Sequence, residues 1–190
     1  MRRLPIIGVM GSLQEDSAEL AGPLGLLIAR LGCHLLTGGR GGAMEAVSRA
    51  FCSVKDRRGY TLGILPEGSP PNPFVEIPIF TQLPATNDPS HPEWRWSRNH
   101  INIRTSNVVI ALPGGEGTAS ELELAATGPH PRPCLAFLGA RGRIARTQRL
   151  EDTPALLTEA GARVPLATDI SQVEAFLQKH ATILQADPNL

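Results

Sequence analysis

Short apolar runs rich in Val, Ile and Leu alternate with longer helix-like stretches along this chain. The apolar runs are PIIGVM (5–10), CHLLT (33–37), TLGIL (61–65), EIPIFTQL (76–83), VVIAL (108–112), CLAFL (134–138) and RVPLA (163–167). The helix-like stretches are 15–31, 43–54, 97–106, 119–127 and 170–180. Strands that alternate with helices form a parallel sheet, and strands that are apolar throughout are covered on both faces. We therefore predict an α/β fold, a doubly wound parallel sheet with helices on both faces.

Length, charge and cysteine content narrow the classes of protein further. A chain of 190 residues suffices for one sizeable core, so we expect a single domain over 1–190. The 18 basic and 18 acidic side chains balance, which favours no nucleic-acid partner, and no apolar stretch is long enough to cross a membrane. The three cysteines form no CxxC pair, and the histidines are scattered. We expect no metal site, no disulfide framework and a cytoplasmic location.

Four glycine-bearing loops follow predicted strands directly. They are GVMGS (8–12), TGGRGGAM (37–44), LPEGSPP (65–71) and LPGGEGTASE (112–121). The carboxyl ends of parallel strands share one edge of the sheet, where such folds bind ligands and where the next helices begin with unpaired N–H groups. One such loop alone is equally compatible with a tight turn. Four loops at one edge predict a ligand pocket suited to an anion.

Three of these loops supply the predicted ligand contacts. Glycines have no Cβ, so the backbone can approach a ligand closely and present N–H groups to it. Thr118 can add a hydroxyl group where the next helix starts. The expected ligand is a phosphate or another compact anion. The predicted contacts are Gly11, Ser12, Gly38, Gly39, Arg40, Gly41, Gly42, Met44, Pro113, Gly114, Gly115, Gly117 and Thr118.

The same motifs argue against several classes of nucleotide- and cofactor-binding protein. The chain has no GxxxxGK[ST] loop, and its only lysines are Lys55 and Lys179. Neither lysine lies in a glycine loop, which argues against a pyridoxal phosphate enzyme and its Schiff-base lysine. The loops also lack the GxGxxG spacing of a dinucleotide site, so we expect no NAD.

Arg98 is a candidate for contact with the ligand. Ser97 is a suitable N-cap, and a helix that feeds the strand at 108–112 begins at the carboxyl edge of the sheet. Arg98, in the first turn, can then reach the pocket, and its planar guanidinium suits phosphate. Asn102 shares that helix face, whereas Arg104 does not. The alternative for Arg98 is an exposed surface charge.

Glu121 allows two interpretations. Thr118 and Glu121 have the spacing of a capping box, which recurs at Ser12–Glu15 and Ser171–Glu174. Spacing alone favours this structural role. A carboxylate beside an arginine at a phosphate pocket could instead act as a general acid or base, or stabilise an oxocarbenium-like sugar.

Two further groups have simpler interpretations. Trp94 and Trp96 lie in the proline-rich stretch 84–96, where they could stack on a flat ring, pack internally or contact another subunit. A basic run late in the chain is predicted to be a solvated face. This run consists of Arg141, Arg143, Arg146 and Arg149.

Five segments, in chain order, resemble the Lonely Guy (LOG, SLOG) superfamily of Rossmann-like proteins. They are PIIGVMG, LLTGGRGGAM, LGILP, IPIFTQL and RNHINIRTSNVVIALPGGEGTASE, within residues 5–138. The resemblance implies a Rossmann-like fold and a homodimer or homotetramer. Members were often labelled lysine decarboxylases, a role that the lack of a lysine in the loops disfavours.

The resemblance divides between two branches of this superfamily. The Lonely Guy enzymes cleave the N-glycosidic bond of cytokinin nucleoside monophosphates and have the motif PGGxGTxxE with an upstream arginine. Residues 113–121 match that motif, which implies that Arg98 and Glu121 are catalytic and that the loop 114–118 binds phosphate. Their MHxRK segment is replaced by Trp96-Ser97-Arg98-Asn99, and the first of their two adjacent glutamates by Ser120.

The second branch, the carrier proteins of the molybdenum cofactor, binds a phosphorylated pterin cofactor and passes it on. The segments PIIGVMG, LLTGGR and IPI, with the Arg-x-x-Ile-Asn pattern that begins at Arg98, look closer to these carriers. Our first expectation is therefore a binding protein for the molybdenum cofactor or a similar phosphorylated, nucleotide-like ligand. The second is a nucleoside-monophosphate phosphoribohydrolase, and the third is a nucleotide sensor without catalysis.

Overall fold

Nine strands form one sheet in the computed structural model, which describes residues 4–84 and 96–186. The strands are β1 (Ile6–Met10), β2 (His34–Thr37), β3 (Thr61–Pro66), β4 (Ile77–Thr81), β5 (Val108–Ala111), β6 (Cys134–Phe137), β7 (Thr147–Arg149), β8 (Ala155–Thr158) and β9 (Arg163–Ala167). The helices are α1 (Ala18–Arg30), α2 (Ala43–Cys52), α3 (Arg98–Thr105), α4 (Glu116–Thr127) and α5 (Ile170–Ala186). None of these helices is long and apolar enough to cross a membrane.

The strand order creates a switch point in the middle of the sheet. The order is β4-β3-β2-β1-β5-β6-β9-β8-β7, and all pairs from β4 to β9 are parallel. The chain builds outward from β1 to β4 in one direction and from β5 in the other. In doubly wound sheets the crevice at such a point, outside the carboxyl ends of the strands, receives the ligand. This topology confirms the predicted fold class.

Alternate side chains of β1 enter two separate apolar cores. Ile7 and Val9 are buried on the face covered by α1, α2 and α5. Ile6 and Met10 are buried on the opposite face, against α3 and α4. Successive residues of a strand point to opposite faces, so a strand apolar at every position needs helices on both sides.

The far end of the sheet differs from the prediction. No strand was predicted between 138 and 163, but this stretch contains β7, which pairs antiparallel with β8, and β8 pairs antiparallel with β9. Strand β7 has only three residues, TQR, without apolar alternation. The local pattern did not reveal this strand, because none of its residues belongs to an apolar run.

The three capping-box patterns do not mark the starts of helices. Helix α4 begins at Glu116 with Gly115 as its N-cap, so Thr118 lies inside the helix. The Ser12 hydroxyl accepts hydrogen bonds from backbone N–H groups in a turn, six residues before α1. At α5, Asp169 accepts the backbone N–H of Gln172, and Ser171 is not the cap. The predicted N-cap at Ser97 is confirmed.

Candidate functional site

A cavity of about 780 Å³ opens at the carboxyl edge of the sheet, beside the switch point between β1 and β5. Its volume lies in the range typical of small-molecule sites. The walls come from the loops after β1, β2, β5 and β6 and from helices α3 and α4. The lining residues are Gly11, Ser12, Leu13, Gln14, Glu15, Gly38, Arg40, Met44, Arg98, Asn99, Asn102, Pro113, Gly114, Gly115, Gly117, Thr118, Glu121, Arg141, Gly142 and Arg143.

The loop after β5 borders the cavity along its whole length. It leads directly into α4, so the first N–H groups of that helix and the positive end of its dipole lie at the cavity wall. A Cβ on Gly115 or Gly117 would meet no atom within 4 Å, whereas one on Gly114 would collide with the Thr118 side chain. The predicted contacts in this loop, including Pro113 and Thr118, all line the cavity.

The loops after β1 and β5 are joined by main-chain hydrogen bonds. The Ser12 N–H donates to the Pro113 carbonyl oxygen over 3.1 Å, and the Ala43 N–H donates to the Ser12 carbonyl oxygen over 2.9 Å. These bonds also bring the start of α2 next to the loops after β1 and β5. Gly11 and Ser12 line the cavity as predicted.

The loop after β2 contributes only part of its predicted contacts. Gly38, Arg40 and Met44 line the cavity, but Gly39, Gly41 and Gly42 are not part of its lining. Gly39 and Gly42 have φ angles of 74° and 64°, the left-handed region that glycine adopts readily. Both glycines therefore serve the turn into α2 and lie outside the cavity lining. The loop at 65–71, the fourth of the predicted set, also lies outside the cavity lining.

Arg98, Asn102 and Glu121 lie together in the cavity wall. Asn102 Nδ2 donates a hydrogen bond of 2.7 Å to Glu121 Oε1, which links α3 to α4. Arg98 Nη1 donates to the Ile64 carbonyl oxygen at the end of β3, over 3.3 Å. Glu121 thus bonds to the neighbouring helix and not to the start of its own, which overturns the capping interpretation. Asn99, on the same helix as Arg98, donates to Ser120 Oγ over 3.3 Å.

Burial changes the acid–base properties of this group. Desolvation raises the pKa of Glu121 from 4.5 to about 7, although the Asn102 hydrogen bond and the charge of Arg98 act in the opposite direction. Burial, and then the nearby charge of Arg40, lower the pKa of Arg98, whereas Glu121 raises it. Among the described residues, Arg98 Nε and Asn102 Oδ1 are buried polar atoms without a hydrogen-bond partner. Perturbed groups of this kind are typical of functional sites.

The basic run after β6 is divided between two roles. Arg141 and Arg143 are exposed, as predicted for a solvated face, and they also line the cavity. Arg146 pairs with Glu116 and Glu159, and Arg149 donates to main-chain carbonyl oxygens of the same loop. This loop follows a strand at the same edge as the glycine loops, so the rule that located those loops could have located it too.

Of the two tryptophans, Trp96 lies among the described residues. Trp96 is about half exposed, lies 5.5 Å from the His100 ring and contacts Arg104, and it is not part of the cavity lining. Trp94 lies outside the described residues. Within residues 4–84 and 96–186, no group of three or more His, Cys, Asp or Glu side chains is placed to hold a metal ion.

The parallel sheet, its central switch point and the glycine-lined cavity define a Rossmann-like protein with a candidate ligand site. More specifically, the family model described as the SLOG cluster4 family matches residues 4–160, and the chain belongs to this family. This confirms the predicted superfamily.

Two solved structures of cofactor-binding proteins are similar to this chain. The molybdenum cofactor binding protein of the phototrophic bacterium Rippkaea orientalis is 38% identical, with a TM-score of 0.61 over 73% of this chain and 78% of that one. The Moco carrier protein of Chlamydomonas reinhardtii is 31% identical, with a TM-score of 0.67 over 95% of this chain and 99% of that one.

A curated enzyme is also similar in sequence. The cytokinin riboside 5′-monophosphate phosphoribohydrolase of Mycobacterium marinum is 31% identical over 107 residues. The match covers 55% of this chain and 51% of the enzyme. The chain thus spans about half the length of this relative.

Proposed function

We propose that this protein binds a phosphorylated, nucleotide-like ligand and holds it unchanged, as a carrier of the molybdenum cofactor type. The observation that carries the proposal is a single cavity whose lining combines the start of α4, the open glycines 115 and 117, and four arginines. These arginines are Arg40, Arg98, Arg141 and Arg143. Likeness to two proteins named for binding or carrying this cofactor supports it.

The residues present fit such a ligand. The loop 113–118 offers main-chain N–H groups where a phosphate would interact with the positive end of α4. Asn99, Asn102 and Glu121 supply uncharged or titratable polar groups beside it. A heterocycle with donors and acceptors at its edge matches such a mixture, because a few placed polar groups fix the orientation of a ligand.

The second candidate is a phosphoribohydrolase, which cleaves a nucleoside monophosphate between base and sugar. The observation that favours it is the placement of Glu121 and Arg98 beside the glycine loop, with the pKa of Glu121 at about 7. A carboxyl group with this pKa can act as an acid or a base near neutral pH. Arg98 would then stabilise charge on the phosphate or sugar, and Glu121 would act at the glycosidic bond.

One experiment separates the two candidates. Purified protein is incubated with the molybdenum cofactor and, separately, with a panel of nucleoside monophosphates, and bound cofactor and released base are measured by chromatography. A carrier retains the cofactor and passes it to a cofactor-free molybdoenzyme, and it releases no base. Base release that disappears in Arg98→Ala would establish the hydrolase. Binding of a nucleotide without turnover or cofactor transfer would indicate a sensor.

We also propose that the protein forms a homodimer or homotetramer. Ile77, Ile79 and Phe80 are exposed on β4, which is an edge strand of the sheet. Exposed apolar edge strands are typical of surfaces that a partner covers. Light scattering coupled to size exclusion tests this proposal, and a monomer at all concentrations would contradict it.

A further inference from the structure

Two pairs of arginines approach the cavity from different strands of the sheet. Arg40 lies in the loop after β2 and Arg98 in the first turn of α3, where its Nη1 donates to the Ile64 carbonyl oxygen of β3. Arg141 and Arg143 lie in the loop after β6. We call these the β3-side pair and the β6-side pair.

The sheet keeps the two pairs apart. Strands β2, β1 and β5 lie between β3 and β6 in the sheet order. Adjacent strands are about 4.8 Å apart, so β3, which holds Arg98, lies roughly 19 Å from β6, and β2, whose loop bears Arg40, lies roughly 14 Å from it. The hydrogen bond to Ile64 keeps the Arg98 guanidinium at the β3 side. Arg40 is close enough to Arg98 for its charge to lower the pKa of Arg98.

The loop that bears the β6-side pair is fixed against the glycine loop. The Gly114 N–H donates to the Arg143 carbonyl oxygen over 3.1 Å, and the Ala145 N–H donates to the Gly114 carbonyl oxygen over 3.0 Å. Arg149 Nη2 donates to the carbonyl oxygens of Gly139 and Gly142 over 3.1 and 3.0 Å. Arg141 and Arg143 are therefore held beside the start of α4.

Few carboxylates lie near the two pairs, although the charge of Glu121 acts on Arg98. Within residues 4–84 and 96–186, none of the four arginines forms an ion pair with a carboxylate. Glu15 and Glu121 are the acidic side chains that line the cavity. Like charges held near each other are unfavourable unless an anion lies between them.

We infer that the cavity contains two separate anion subsites, so that its ligand carries two anionic groups joined by a polar middle section. One group binds between the glycine loop, the start of α4 and the β6-side pair. The other binds the β3-side pair. Asn99, Asn102 and Glu121 face the section between them. This inference deepens the proposed function and rests on it for the position of the ligand.

Inorganic phosphate is the probe for the test, because it carries a single anionic group. Protein labelled with ¹⁵N is titrated with phosphate, and arginine side-chain and main-chain N–H signals are followed by NMR. We expect two independent phosphate ions per chain. Arg40→Gln should weaken only the β3-side site, by about tenfold, and Arg141→Gln with Arg143→Gln should weaken only the β6-side site by a similar factor. Arg163→Gln, an exposed arginine of β9, is the matched control and should change neither site.

Three results would overturn the inference. They are a single phosphate ion whose affinity falls in both variants, no phosphate-dependent change at one of the pairs, and equal losses in the Arg163→Gln control. This inference and the carrier proposal can fail independently of each other. Two phosphate sites without retention of the molybdenum cofactor contradict the carrier alone, and one site with retention contradicts only this inference.

Discussion

The glycine-rich loops after β2 and after β5 look alike in sequence but have different roles. Gly39 and Gly42, in the first loop, have left-handed φ angles, and a Cβ on Gly42 would collide with the main chain at Ser12 and Leu13. Gly115, in the second loop, and Gly117, in the first turn of α4, have open space around them and line the cavity. Glycine thus permits the turn in the first loop and leaves open space at the cavity in the second. Substitutions of the first loop's glycines should therefore lower stability, whereas substitutions at the second loop should lower ligand affinity.

The largest effect is expected from Gly42→Ala. A left-handed conformation and a collision with main-chain atoms together should lower the free energy of unfolding by roughly 3 kcal/mol or more. Urea denaturation followed by circular dichroism measures this. Gly41→Ala is the matched control, because its Cβ would meet atoms only at 3.8 Å and beyond, and it should change stability little. Equal losses in both variants would contradict the role given to Gly42.

Glu121→Gln tests whether the buried carboxyl group beside the second loop lowers the stability of the protein. Because the pKa of Glu121 is raised from 4.5 to about 7, the folded state holds this proton more tightly than the unfolded chain. Stability should therefore fall as pH rises from about 4.5 to about 7 and stay low above that, by up to roughly 3 kcal/mol.

The glutamine variant can still accept the hydrogen bond from Asn102, but it does not titrate. Its stability should lack this fall and exceed that of the natural protein above pH 7. Thermal denaturation over a series of pH values provides the measurement. The same slope in both proteins would show that another group is responsible.

Asn102→Ala tests how the carboxyl group is held. The Asn102 hydrogen bond lowers the pKa of Glu121, so its removal should raise that pKa further and cost about 1 to 3 kcal/mol of stability. The ¹³C chemical shift of the Glu121 carboxyl group, followed through a pH titration, reports the change. Asn99→Ala is a suitable control, since Asn99 bonds to Ser120 and not to Glu121. An unchanged pKa of Glu121 in Asn102→Ala would show that Asn102 does not position the carboxyl group.

Gly117→Ala should give the smallest change in stability. Gly117 lies in the first turn of α4, where alanine is the better helix former, so the variant should gain about 0.5 to 1 kcal/mol. Its methyl group would occupy space that the ligand needs, and phosphate affinity should fall. Melting temperature and phosphate titration together test both parts. A loss of stability comparable to that of Gly42→Ala would break the comparison of the two loops.

Much of the fold could be predicted, because its determinants are local. Seven of the strands coincide with continuous apolar runs, and the carboxyl-edge rule located the cavity. The role of Glu121 could not be read from spacing, since its partner Asn102 is 19 residues away on another helix. Strand β7 was missed for another reason, since its three residues, TQR, show no apolar pattern of their own.

The arginines after β6 show a different limit. Their sequence run predicts a solvated face, and Arg141, Arg143 and Arg146 are indeed exposed. Arg141 and Arg143 reach the cavity because a main-chain pairing between Gly114 and Ile144 holds their loop against the glycine loop. No local pattern encodes that pairing.

The most direct test of the central claim is a titration of the natural protein and Gly117→Ala with the molybdenum cofactor. Bound cofactor is quantified after separation by the fluorescence of its oxidised pterin. We predict that the natural protein retains the cofactor intact and that Gly117→Ala, with an equal or higher melting temperature, retains far less. Absence of retention in the natural protein, or equal retention in both, would contradict a holding site at this loop.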